Sequence, residues 1–300
     1  MIWLYITIIA YLLFALANIG DKLMVSHYQT KPIVYAFYVG ILGAFVLVLI
    51  PLGVILPGPI HIFWALAGGL AFVMALLFMY QALHLGETTR AITILGGTSP
   101  IFTFLFSMFF IPEKLSAHQL LAFCFLVVAI IIISWPPKEH VSKKLHKLQT
   151  KFSLVAGVFF ALSYVLAKYV YASQPFISGF FWIRVGGVLT ALAILLWPEY
   201  RRQILADLKK PKKKSKASLL LGIQVLGGIG VVGQNFALSL TSASLVNALQ
   251  AIQYAFIFLL TALLGKKIPQ LKEKFSHAQV LQKAAAIVLI AIGLYFLTLN

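Results

Sequence analysis

The chain has 300 residues, of which 61% are hydrophobic and 10% charged, and it carries a formal net charge of +17. Soluble domains hold about 25% charged residues, so the composition excludes one and points to a bilayer. The basic excess would suit nucleic acid on a soluble protein, but its placement along the chain assigns it to membrane topology, and no nucleic-acid partner is expected.

Ten stretches reach the roughly 20 apolar residues that a membrane span needs: 2–21, 32–51, 61–83, 90–111, 117–135, 152–173, 176–197, 217–239, 243–264 and 279–298. The expected fold is an all-α membrane protein of ten transmembrane helices. In the first stretch, Ala15-Leu16-Ala17 imitates a signal-peptidase site, but no basic leader precedes it, so the stretch is expected to be kept as a span. Asn18 lies in this span and Asp21 at its end; Asp21 beside Lys22 reads as an interfacial ion pair. The third stretch ends near His84 and Glu87. In the fourth, Ser99 is polar near the middle and Pro100 deletes a backbone donor, which predicts a helix kink and an exposed carbonyl.

Ser116 followed by Gln119 fits a capping box and marks the start of the fifth span. That span holds Cys124, the single cysteine, so no intramolecular disulfide can form. A polar basic linker, 136–151, follows. Tyr164 and Lys168 sit in the sixth span, Lys168 close enough to its end to snorkel. Arg184 lies about eight residues into the seventh span, roughly 12 Å deep at 1.5 Å per residue, where an ionisable group is costly and usually functional. A structural alternative pairs it with backbone carbonyls or with Glu113. Between the seventh and eighth spans, Tyr200 to Leu208 reads as an amphipathic surface helix. Gly227, Gly230 and Gly233 in the eighth span suit close approach of another helix, and Gln234 and Asn235 follow them. In the ninth span Gln250, Gln253 and Tyr254 fall at i, i+3 and i+4, on one face.

The halves copy each other. Phe14, Ala15, Leu16 and Lys22 recur as Phe160, Ala161, Leu162 and Lys168; the X-Pro turns Lys31-Pro32 and Gln174-Pro175 correspond, as do Gly43 and Gly186; and Ala82, Leu83, Leu85 and Leu105 match Ala237, Leu238, Leu240 and Leu260. Residues 1–135 and 152–300 are therefore read as two five-span repeats. An odd number of spans inverts the second copy, the construction that many secondary transporters use for alternating access. Apart from Lys114, Lys168 and Arg184, every Lys and Arg falls on the side of the connections after spans 1, 3, 5, 7 and 9. Cytoplasmic loops concentrate these residues, so both termini are expected outside the cytoplasm, with the plasma membrane the expected location.

The stretches Tyr80-Gln81-Ala82-Leu83, Thr88-Thr89-Arg90-Ala91, Ser99-Pro100-Ile101-Phe102 and Pro112-Glu113-Lys114-Leu115-Ser116, with the ten spans and the repeat, resemble EamA-type members of the drug/metabolite transporter superfamily. The resemblance implies inverted repeats, a central cavity lined largely by spans 1, 3, 4, 6, 8 and 9, and export or exchange of small metabolites. Well-known ten-span members keep both termini in the cytoplasm, the reverse of what the charge pattern here predicts. Small multidrug members of the superfamily use a deep glutamate in their first span, and Ala15 to Asn18 contain none.

The expected function is thus a secondary transporter of a small-molecule substrate, with Arg184, Lys168, Asn18, Ser99, Tyr164, Gln234, Asn235, Gln250, Gln253 and Tyr254 as candidate binding residues. Embedded cations with no deep carboxylate favour anionic or zwitterionic solutes over cationic drugs. Protons are the candidate coupling ion, through Asp21, Glu87 or His84. No metalloprotease, nucleophile-elbow or phosphate-loop motif occurs, so neither an enzyme nor an ATP-driven pump is expected, and no cofactor or metal is. A lipid-carrier or amphiphile translocase and a cationic drug exporter are the competing readings, and a lateral opening lined by apolar residues would distinguish the first. Membrane lipids surround either form, as monomer or homodimer.

Overall fold

The computed structural model describes residues 1–26, 31–85, 88–111, 113–134, 143–209, 214–264 and 276–299. It is helical throughout these segments: α1 (Ile2–Ser26), α2 (Pro32–Leu42) continued by a 3-10 segment (Gly43–Leu52), α3 (Pro59–Leu85), α4 (Thr88–Phe110), α5 (Ala117–Ser134), α6 (Lys143–Ser173), α7 (Phe176–Ile194), α8 (Pro198–Leu208), α9 (Lys214–Leu240), α10 (Ala243–Ala248), α11 (Gln250–Leu264) and α12 (His277–Thr298). Among the described residues nine helices are long and apolar enough to cross a membrane, and α4 contributes a shorter apolar helix, Ile94–Phe110.

Three of the expected spans differ in detail. The second changes from α to 3-10 geometry at Gly43, and Pro51, without an N–H, cannot close an α-helical bond in its last turn. Gly53 ends it at φ +89°, a left-handed conformation that favours glycine. The sixth begins at Lys143, inside the stretch read as a linker. There Gln149 is buried and its Nε2 donates to the Ala82 carbonyl at 3.2 Å, satisfying a group that the end of α3 leaves free. The ninth, expected to be continuous over 243–264, is interrupted at Leu249 between α10 and α11.

The helices pair mainly between halves. Span 1 (α1) packs on span 8 (α9), and span 6 (α6) packs on span 3 (α3); span 4 (α4) lies on span 6, and span 9 (α11) on span 1; spans 5 and 10 pair, as do spans 2 and 7. Adding five to each span number maps these pairs onto one another; span 3 also packs on span 7, and among the described residues spans 8 and 2 make no comparably extensive contact. Glycines permit the tightest of these contacts. Gly69 on α3 lies directly under the Ile183 carbonyl of α7, and a Cβ on Gly186 would stand 2.5 Å from the Leu66 carbonyl oxygen. Gly230 and Gly233 receive α1, at Phe14 and Ala10.

Polar side chains fix the helix ends. Gln119 N–H donates to Ser116 Oγ (3.2 Å) while Gln119 Oε1 accepts from Ser116 N–H (3.0 Å), the capping box expected at α5. An equivalent box, Ser276 with Gln279, starts α12. The surface helix α8 buries Ile204 and is tied to α2 by Tyr38 Oη donating to Asp207 at 2.8 Å.

Glu113, just before α5, holds the start of α10. It accepts from Ser242 Oγ (2.6 Å), the Ala243 N–H (2.6 Å) and Ser244 Oγ (2.7 Å). Charge-assisted bonds are worth about 1.5–3 kcal/mol each and are not additive, so Glu113→Ala should cost roughly 3 kcal/mol and Glu113→Gln less. Thermal unfolding of the purified variants measures this; equal melting temperatures for Glu113→Ala and the parent would remove the anchoring role.

Candidate functional site: a central cavity with a buried cation

A cavity of about 1000 Å³ lies between the repeats, at the upper end of the usual range for ligand sites. Its polar lining is sparse: Asn18, Tyr80, Ser99, Tyr164, Arg184, Gln224, Gln234, Gln250, Gln253 and Tyr254. Apolar side chains of α1, α2, the 3-10 segment, α3, α4, α6, α7 and α9 complete it, so spans 2 and 7 belong to its wall in addition to those the family resemblance implies.

Arg184 projects from α7 beside Gly43, its Cδ 3.9 Å from where a Gly43 Cβ would stand. The rings of Phe72 and Phe180 lie over the guanidinium, with centroids 4.8 and 5.1 Å from Cζ. These contacts stabilise a cation but use none of its N–H groups, and Nε is buried with no hydrogen-bond partner. The alternative pairing with Glu113 is not made, since Glu113 spends its oxygens on the start of α10.

Tyr164 and Gln234 meet at one polar hub. Gln234 Nε2 donates to the Tyr164 hydroxyl (2.7 Å) and to that of Tyr11 (3.1 Å), and Tyr11 Oη donates to the Val246 carbonyl (2.6 Å). Val246 lies in the last turn of α10, so the hub ties spans 1, 6 and 8 to the interruption in span 9. Asn247 does the same from the other side, its Nδ2 donating to Ser99 Oγ (2.9 Å) and Thr103 Oγ1 (2.6 Å). Discontinuous helices at such positions are how many transporters aim backbone groups at a substrate. Gln250, Gln253 and Tyr254 follow the interruption directly. Gly96 leaves room for the Tyr254 hydroxyl, which a Cβ there would approach to 2.6 Å; that hydroxyl is buried without a partner. Pro100 lies within α4, which continues on both sides of it; the carbonyl freed by its missing N–H belongs to Gly96.

The structure does not bring the remaining candidates to the cavity. Lys168 Nζ donates to the Leu238 (3.1 Å) and Ser239 (3.4 Å) carbonyls, where a cation complements the C-terminal end of α9. Asn235 Nδ2 donates to the Val231 carbonyl (2.9 Å) and its Oδ1 accepts from Tyr171 Oη (2.8 Å). His84 is exposed at the end of α3. Glu87 and the side chain of Asp21 lie outside the described residues. Sequence reading missed Tyr11, Asn247, Phe72 and Phe180; the tyrosine and asparagine in mid-span were the available signals.

The chain is thus an all-helical, multi-pass integral membrane protein with a central cavity. Residues 1–135, just under half of the chain, match the EamA-like transporter family, a match that supports a membrane transporter of the drug/metabolite type. A solved structure described only as a crystal structure of a protein superposes with a TM-score of 0.68, covering 98% of this chain and 96% of that one at 17% identity; this likeness concerns the fold. Comparison with the curated proteins gave no match.

Proposed function

We propose that the chain is a secondary carrier that binds a small anionic or zwitterionic metabolite at Arg184 and moves it by alternating access, the two repeats rocking about the central cavity. The observation that carries this reading is a guanidinium lining the cavity with its Nε unpartnered and, among the described residues, no carboxylate paired with it. A buried cation is costly alone and becomes favourable once an anion pairs with it. Gln250 and Gln253, in the first turn of α11, and the Tyr254 hydroxyl supply further groups for orienting the solute.

A thermal-shift screen of the purified protein against amino acids, organic acids, sugar phosphates, nucleosides and cationic dyes tests the reading. A ligand at 100 times its dissociation constant stabilises the native state by about 2.7 kcal/mol when it binds that state alone. Stabilisation by anions or zwitterions is the expected result. Stabilisation by cationic dyes alone would make the protein a drug exporter.

The charge asymmetry supports a cell-membrane orientation with both termini outside. Reporter tags at the two ends should be reached by an impermeant protease on intact cells; protection of both would reverse the orientation.

A further inference from the structure

The cavity wall is incomplete between the 3-10 segment and α9. Phe45, Val225 and Ile229 line the cavity and are 72%, 59% and 55% exposed, as residues at the rim of an opening are. The neighbouring elements account for this. The 3-10 segment packs on α7 and α2, and α9 packs on α1; among the described residues the two make no substantial contact with each other. Gly228, which also lines the cavity, has nothing within 4 Å of its Cβ position. On the α9 side Leu221, Val225, Gly228 and Val232 follow one helical stripe, and the 3-10 segment contributes Phe45, Val46 and Leu49. The rims they form are apolar and belong to segments long and apolar enough to cross a membrane.

Arg184 sits at the root of this opening. Its side chain lies against Gly43, the first residue of the 3-10 segment and two positions before Phe45. A cation with free donors at the inner end of an apolar slot is complementary to a molecule with an anionic head and a hydrocarbon chain. We propose that the substrate is such an amphiphile, its head held by Arg184 and its chain leaving the cavity sideways between the 3-10 segment and α9. This rests on the anion site proposed above and extends it. A free polar solute would need the opening sealed. A chain lying in it does the sealing itself and keeps the charged head from the lipid.

The test uses n-alkyl phosphates short enough to stay in water, from methyl to hexyl, added to the full-length protein in nanodiscs, with binding read by calorimetry. Burying a methylene fully is worth up to about fourfold in affinity, and a partly open slot about twofold, so hexyl phosphate should bind roughly 30 times more tightly than methyl phosphate. Gly228→Leu, which fills open space, should bring that ratio towards one, and Arg184→Ala should remove binding of the whole series. Equal affinity across the series, or weaker binding of the longer members, would overturn the lateral route while leaving the anion site standing. An unchanged ratio in Gly228→Leu would place the chain elsewhere and overturn it too. Failure of every member to bind, methyl phosphate and inorganic phosphate included, would overturn the anion site itself.

Discussion

Arg184→Ala should lose about 3 kcal/mol of binding free energy for any anionic ligand, roughly a hundredfold in dissociation constant, while the ligand-free protein should melt no lower than the parent. The two effects have one origin. In the empty cavity the half-buried guanidinium has, among the described residues, the Phe72 and Phe180 rings but no hydrogen-bond partner for its buried Nε, so removing it relieves a cost. With ligand bound, the same group makes charge-assisted bonds that alanine cannot. Arg184→Lys keeps the charge but not the planar fork, and should fall between the two. Arg184→Met fills the volume without charge and should raise the melting temperature of the empty protein, as substitutions that relax a functional site often do. Calorimetry with the best ligand from the screen, paired with thermal unfolding without it, measures both. A variant that melts well below the parent but still binds would show that Arg184 is structural.

The second large effect is on stability. Gly186→Leu should destabilise the protein by more than about 3 kcal/mol, beyond the usual range for overpacking, because the obstacle is backbone. Even a methyl group at Gly186 would stand 2.5 Å from the Leu66 carbonyl oxygen and 2.6 Å from its Cα, and neither atom can swing aside as a side chain can. The expected outcome is loss of monodisperse protein on size-exclusion chromatography, with Gly186→Ala intermediate. Gly228→Ala is the control. It enters open space at the rim of the cavity and should stabilise slightly, since alanine is the better helix former by about 1 kcal/mol. Similar behaviour of Gly186→Ala and Gly228→Ala would contradict the close crossing of α3 and α7.

These sites differ in how far the sequence reveals them. Arg184 is conspicuous because the surrounding residues are apolar, and Gln250, Gln253 and Tyr254 are conspicuous because helical spacing gathers them on one face; all four line the cavity. Lys168 and Asn235 satisfy the same criterion of a polar residue in an apolar run, but they turn to helix ends and to Tyr171. Periodicity places a residue on a face without saying what the neighbouring helix presents there. The interruption at Leu249 has no local signature, as neither glycine nor proline is near it; its stabilising partners are Tyr11, Ser99 and Thr103, far away along the chain. Gly186 was recognisable as a repeat partner of Gly43, but what it does depends on the backbone of α3. The lateral opening is a missing contact, and contacts that fail to form leave no pattern in a sequence.

The exchange of partners between halves also bears on how the protein is made. The first repeat leaves the ribosome with α1 awaiting α9, α3 awaiting α6 and α5 awaiting α12. Its helices can enter the bilayer one at a time, but their final neighbours are not yet synthesised. Assembly is therefore expected to finish late, after the second repeat has been inserted; a half produced alone keeps contacts such as α2–α3 and α4–α5 but lacks its most extensive ones. The most extensive interfaces thus lie between the halves.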